Sequence, residues 1–350
     1  MRRGTFESIQ GLRGIAALLV TLFHAASRYD ISENTFRVGN AGVDIFFVIS
    51  GFVMWTVTVS RPTAPATFLR HRFVRLVPLY YVFTLALLAA WLVLPSAFPR
   101  MSPPTPSHIL LSLAFLPHLD GDGHVLPLLA QGWTLNFEML FYAIFALALS
   151  LAGRWRLGFI AASLLSLPLL GLTIPKAALQ MAPPLGLLSP LLVEFLFGVL
   201  VAHAVERDWR PLVALRWVCL TLGALALVLL PNPARDDDWA RLLLFGVPAL
   251  LVVAGALGFE IASQNFRIGR WPLLVGASSY SLYLSHSFVL SVVGKVWPPG
   301  AAPWLFDGVA SLMSILAAIA IYRLLEQPLQ KMMRDGGALG IAAPAPANQS

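Results

Sequence analysis

The chain has 350 residues, of which 58% are hydrophobic and only 12% charged, and its mean hydropathy is +0.76. Soluble domains carry about 25% charged residues, so a water-soluble globular protein is excluded and an all-α integral membrane protein is indicated. The net charge of +7 would point to nucleic acid in a soluble chain; here no nucleic-acid partner is expected, and the placement of the cations across loops matters more. The one cysteine, Cys219, lies in an apolar run, which rules out an intrachain disulfide and a cysteine-based metal site. No metal centre is expected.

The N-terminus, "MRRGTFESIQ" followed by apolar residues, resembles a signal peptide, and "HAAS" imitates a cleavage site. Many further apolar runs follow, so it reads as an uncleaved first helix. A bilayer span needs about 20 mainly apolar residues. Ten candidates satisfy this, at about 9–27, 42–60, 76–95, 132–152, 158–174, 187–205, 212–230, 241–258, 272–294 and 304–325. The stretch "HILLSLAFLP" at 108–117 is shorter and Pro-flanked, and reads as an interfacial or re-entrant piece. With the N-terminus inside, fifteen Lys and Arg fall in inside segments and seven outside, while Arg13 and Arg323 lie within spans. This charge bias favours a ten-helix bundle with both termini cytoplasmic, in the inner or plasma membrane. Residues 1–335 form the transmembrane domain. The tail "GGALGIAAPAPANQS", 336–350, is expected to be disordered.

Ionisable residues inside spans are rare and usually functional. Arg13 and His24 sit on the first span, eleven residues apart, which is about 16 Å along the axis and about 20° in azimuth. Gln10, Arg13, Ala17, Thr21 and His24 thus form one narrow stripe. The second span carries Asp44 at its outer end. The fourth carries Glu138, on a face with Thr134 and Tyr142, and the sixth carries Glu194. The ninth carries Ser279, Tyr283 and His286 on one face. Two histidines and three carboxylates from five spans therefore converge on a similar depth in the outer half. At the inner end, "RHRFVRLVP" places Arg70, Arg72 and Arg75 beside Arg13, and "YRLLEQP" carries Arg323 and Glu326. Plainer roles also fit some of these residues. Asp44 suits helix capping, His286 a helix–helix hydrogen bond, the arginines orientation, and Glu326 a pairing with Arg323. The acidic run "RDDDW" at 235–239 reads as a solvated outer loop, and Tyr80 and Tyr81 as packing or interface anchors.

A histidine with a nearby carboxylate is a general base. Arginine forks at the opposite mouth suit phosphate groups. Together they describe transfer of a group from a phosphorylated donor, with the base nearer the outside. Coenzyme A, with phosphates at one end and a thioester on a long arm, has this shape, although spacing alone does not single it out. Intramembrane His and carboxylate groups also build the proton relays of secondary transporters. Such proteins commonly carry internal two-fold repeats, and no convincing self-similarity joins the two halves.

The segments "IQGLRGIAALLVTLFHA", "GVDIFFVISGF", "RHRFVRLVPLYY", "WTLNFEMLFY", "EFLFG", "GASSYSLYLSH" and "LLEQP" run from residue 9 to about 328. In this order they resemble the acyltransferase-3 family of integral-membrane acyltransferases. The resemblance implies ten membrane helices, acyl-CoA (expected to be acetyl-CoA) as co-substrate with no tightly bound cofactor, and a saccharide acceptor. That acceptor would belong to a polysaccharide, O-antigen, exopolysaccharide or lipid-linked precursor. It implies Arg13, Arg72 and Arg75 as donor-binding residues and His24, Asp44 and Glu138 as the catalytic set, with Glu326 matching a late motif glutamate. Glu194, Ser279, Tyr283 and His286 are further candidates. His24 is expected to pair with Asp44 or Glu138. It would either deprotonate a sugar hydroxyl directly or carry the acyl group itself. Some members carry a fused extracytoplasmic hydrolase-like domain, and none is expected here. The chain is therefore expected to complete the transfer itself or to hand the group to a separate protein.

Overall fold

The computed structural model describes residues 6–28, 36–60, 63–98, 101–175, 178, 181–234, 237–263, 265–300 and 302–335. The expected disordered tail, 336–350, lies outside the described residues, as do Arg2, Arg3, Arg61, Arg100, Lys176 and Arg235 of the orientation count. All extended regular structure among the described residues is helical. The helices are α1 Glu7–Ala26, α2 Ala41–Ser60, α3 Pro65–Val93, α4 Pro106–Leu113, α5 Gly132–Leu149, α6 Gly153–Gly171, α7 Leu192–Glu206, α8 Arg216–Leu229, α9 Val247–Ala262, α10 Arg270–Ala277, α11 Ser279–Val296, α12 Pro303–Ile321 and α13 Gln327–Asp335. A backbone in hydrocarbon must satisfy its own polar groups, and a helix does so within one segment.

Each of the ten expected spans contains a helix, but fewer than ten are long and apolar enough to cross a bilayer. Among the described residues seven qualify, or eight when α10 and α11 count as one span bent by 72°. Two expectations fall short for separate reasons. Helix α6 opens with Arg154 and Arg156, which shorten its apolar run. Helix α8 has 14 residues, about 21 Å, against a hydrocarbon core of about 30 Å. Helix α3 errs the other way. It begins eleven residues before the expected span, so its 29 residues reach about 44 Å, and "RHRFVR" is helical rather than loop. The 108–117 piece overlaps the short helix α4. Tyr80 and Tyr81 of α3 donate to the carbonyls of Ser112 (3.1 Å) and Leu113 (2.9 Å), which confirms them as packing anchors.

The apolar core centres on α2, α5 and α7, where Phe47 and Phe141 stack on Phe195 at 4.6 and 4.5 Å. Small residues permit the closest approach. A Cβ at Gly51 would lie 2.0 Å from the Phe195 carbonyl oxygen, and one at Gly198 would lie 1.9 Å from that of Val48. Such contacts between glycines and backbone hold membrane helices together where hydrophobic driving force is absent. Helix α1 is pinned at its start by a carboxylate from another helix. Glu260 of α9 accepts the N–H groups of Glu7 (3.0 Å) and Ser8 (2.8 Å) and the Ser8 hydroxyl (2.6 Å). It thereby satisfies donors that a helix N-terminus leaves free and complements the positive end of the dipole. Glu7 in turn accepts from Arg267 (2.7 Å) and the Ile268 N–H (2.9 Å). This clasp fixes the axial position of Arg13 and His24.

Candidate active site

Five helices, α1, α2, α3, α5 and α11, enclose a cavity of about 810 Å³. Its α1-start end is cationic. Arg13 lies two turns into α1, and Arg72 and Arg75 stand one turn apart on the long α3, so all three guanidinium groups reach the same space. Arg13 donates weakly to the Gln10 side chain at 3.4 Å. Arg72 packs 5.9 Å over the Phe68 ring, and its Nε and Nη1 are buried without a hydrogen-bond partner. Buried donors without partners are costly, so this pair of N–H groups is suited to an anionic guest.

Glu326 borders the cationic end, with Arg75 and Arg13 as charged neighbours. Its carboxylate accepts the Ser281 hydroxyl at 2.6 Å and the Gln330 amide at 3.1 Å, so the expected pairing with Arg323 is replaced. The cause is a π turn at Tyr322–Glu326, which inserts extra chain and brings Glu326 into the bundle while Arg323 stays exposed. Single π turns within helices frequently mark functional sites.

Midway along the cavity, Glu138 accepts the Ser50 hydroxyl at 3.1 Å and a short hydrogen bond from Tyr142. Thr134, Glu138 and Tyr142 share one face of α5, as their spacing requires. Ser279, fully buried, lines the same cavity with its hydroxyl unpartnered. The far end closes at Phe46, Thr134 and Tyr283.

His24 lies beyond that end and outside the cavity lining. Its Nδ1 is 2.9 Å from the Val20 carbonyl, one turn earlier on α1. A carbonyl only accepts, so Nδ1 carries the proton and a neutral His24 presents its Nε2 lone pair. His286 repeats the arrangement on α11, with Nδ1 3.1 Å from the Leu282 carbonyl and a buried Nε2 without a partner. The two rings stand 4.9 Å apart, His24 exposed and His286 fully buried.

The expected pairing of His24 with Asp44 or Glu138 is therefore corrected. Glu138 belongs to the cavity, and Asp44 faces another way. Asp44, Val48 and Gly51 follow i, i+4, i+7 spacing along the α2 face that packs on α7. There Asp44, fully buried, receives two hydrogen bonds from Arg241, at 3.0 Å from Nε and 2.8 Å from Nη2. Glu194, also fully buried, adjoins both. Arg241 itself lies 5.8 Å over the Trp133 ring. In the described part of the 235–239 run, Asp237 and Trp239 are exposed, as expected of a solvated segment, but its carboxylates also make specific contacts. Asp237 caps the turn at Ala240 (2.9 Å), and Asp238 accepts the Ser189 hydroxyl at 2.6 Å. Sequence reasoning counted Arg241 among outer-loop cations and missed it as a site residue. Its signal was a cation at a span start at the depth of two otherwise unpaired carboxylates.

The fold and cavity define a multi-pass membrane protein that brings a buried arginine cluster and a histidine pair into one bundle. The acyltransferase domain family (Acyl_transf_3) matches residues 6–323, and the chain belongs to this acyltransferase-3 family. It is 37% identical over 329 residues to the exopolysaccharide production protein ExoZ of Rhizobium meliloti, covering 92% of this chain and 97% of that protein. It is 27% identical over 321 residues to the putative membrane-bound transacylase BcsY of Komagataeibacter xylinus, covering 80% of this chain and 72% of that protein. To the acyltransferase MdmB of Streptomyces mycarofaciens it is 25% identical, covering 93% and 92%. No solved structure matches. Family membership makes the protein a membrane acyltransferase and replaces the transporter reading.

Proposed function

We propose that the protein transfers an acyl group, expected to be acetyl, from cytoplasmic acyl-CoA to a sugar hydroxyl of an extracellular polysaccharide or its lipid-linked precursor at the plasma membrane. The unpartnered Arg72 N–H groups in the buried cationic end of the cavity are the observation that carries the donor assignment. The similarity to an exopolysaccharide production protein supports the acceptor class. Arg13, Arg72 and Arg75 hold the donor phosphates. The pantetheine arm lies along the cavity, past Ser279 and Glu138, and the thioester reaches the end at Tyr283. His24 Nε2 takes the proton from a sugar hydroxyl arriving from the outer side. No carboxylate is needed to stabilise the imidazolium. His24 sits in the last turn of α1, where the helix dipole favours a cation, and the Val20 carbonyl accepts its Nδ1–H. Asp44 supports the architecture rather than the chemistry.

The test uses purified protein in nanodiscs with radiolabelled acetyl-CoA and an oligosaccharide fragment of the host exopolysaccharide. Wild type should bind acetyl-CoA and label the sugar. His24→Ala should bind the donor and unfold at the wild-type temperature but transfer nothing. Full activity in folded His24→Ala would sink the base assignment, and absent acetyl-CoA binding would sink the donor. A burst of free CoA in the absence of acceptor would identify an acyl-imidazole on His24 in place of direct transfer.

A further inference from the structure

One residue joins the cavity to the histidine pair. Tyr283 lines the cavity end, and its ring also stands 6.2 Å from the ring of His286, whose other neighbour is His24. Phe46 packs edge-on against Tyr283 at 6.1 Å and sets the plane of the phenol. If the donor occupies the cavity and the base stands beyond it, the reacting carbonyl passes this phenol.

The hydroxyl of Tyr283 belongs to a triangle of oxygens. It lies 2.9 Å from the Thr134 hydroxyl and 3.2 Å from the Gln131 carbonyl, and Thr134 lies 3.1 Å from the same carbonyl. The carbonyl only accepts, so two hydroxyl protons serve three edges. When Thr134 donates to Gln131, that carbonyl remains satisfied without the tyrosine proton. Tyr283 is then free to turn its proton toward a third oxygen, and no buried group is left unpaired.

We infer that Tyr283 is the oxyanion donor of the acyl transfer, with Thr134 as the positioning residue that releases its proton; this rests on the donor path and base proposed above. As His24 Nε2 removes the sugar proton, the sugar oxygen adds to the thioester carbon. The carbonyl π pair moves onto its oxygen, which accepts the Tyr283 hydrogen bond. Collapse re-forms the carbonyl and breaks the C–S bond. The departing thiolate takes the proton from His24 as free CoA, and Tyr283 keeps its own proton throughout. Such a donor acts only on charge that develops in the transition state, so it contributes to turnover and not to ground-state binding.

Tyr283→Phe keeps the ring and its packing and removes only the hydroxyl. Its kcat should fall about 10²- to 10³-fold, with KM for donor and acceptor and the Kd for acetyl-CoA near wild type. Thr134→Val provides a second arm. It leaves Tyr283 bound to Gln131 and should lower kcat by a smaller factor, again at constant KM. A kcat within about threefold of wild type in Tyr283→Phe, or loss of donor binding in step with kcat, overturns the assignment. Should Tyr283→Phe fail to fold, unchanged kcat in Thr134→Val does so. The donor reading fails separately, through absent acetyl-CoA binding by the wild-type protein.

Discussion

Replacing Asp44 by asparagine separates an architectural role from a catalytic one. The Asp44 carboxylate is fully buried and receives two charge-assisted hydrogen bonds from Arg241, at 3.0 and 2.8 Å. Asparagine preserves the volume and one carbonyl oxygen. Its NH2 group, however, points a donor at a guanidinium that only donates. Removing one partner of a buried ion pair costs about 3–5 kcal/mol, because the remaining charge loses its partner. Glu194 stays beside Arg241 and offsets part of that loss, so the expected cost lies near the lower end, about 3 kcal/mol. Unfolding in detergent should show this as a lowered midpoint. Well below that midpoint, kcat should stay within about threefold of wild type. Adding Arg241→Gln should destabilise by less than the sum of the single changes, with a coupling of about 1–3 kcal/mol. An unchanged midpoint combined with a collapse of kcat would refute this and return Asp44 to the catalytic set.

Arg72→Ala removes hydrogen bonds to a charged ligand, worth about 1.5–3 kcal/mol. The KM for acyl-CoA should therefore rise about 10- to 100-fold with little change in kcat, and steady-state kinetics showing an unchanged KM would make the arginine merely topological. His108, on the loop helix α4, packs against His118 at 4.9 Å, and burial holds its pKa below the ordinary value. The unfolded chain then binds that proton more readily than the folded one. The associated stability is present above about pH 6.5 and is lost as pH falls below it. The unfolding midpoint should drop between pH 7.5 and pH 5, and His108→Phe should reduce that drop; equal drops in both proteins would contradict the account.

Within a helix, the sequence was a reliable guide. The Arg13–His24 stripe, the Thr134–Glu138–Tyr142 face and the alignment of Ser279, Tyr283 and His286 all follow from a 3.6-residue period. Composition alone was enough to place the chain in a membrane, because a 58% hydrophobic chain has no soluble alternative. Depth could also be read, since each residue adds a fixed rise. Depth, however, is one coordinate of three. The sequence reads Asp44, Glu138 and His24 at one level, yet Glu138 lies midway along the cavity and His24 beyond its end, and the three face different neighbours. Which neighbour each meets depends on where glycines let backbones close, as at Gly51 and Gly198, and no single helix records that. Local departures from helical period are equally silent in sequence. The π turns at Leu242–Gly246 and Tyr322–Glu326 reset the faces near Glu194 and Glu326, and their cost is met by tertiary contacts. The residue types and their spacing along each helix were thus determined by the chain itself. The partners of Asp44, the separation of Glu138 from His24, and the place of Tyr283 between cavity and base were decided only by packing, because contacts between helices depend on the azimuth and approach of two surfaces at once.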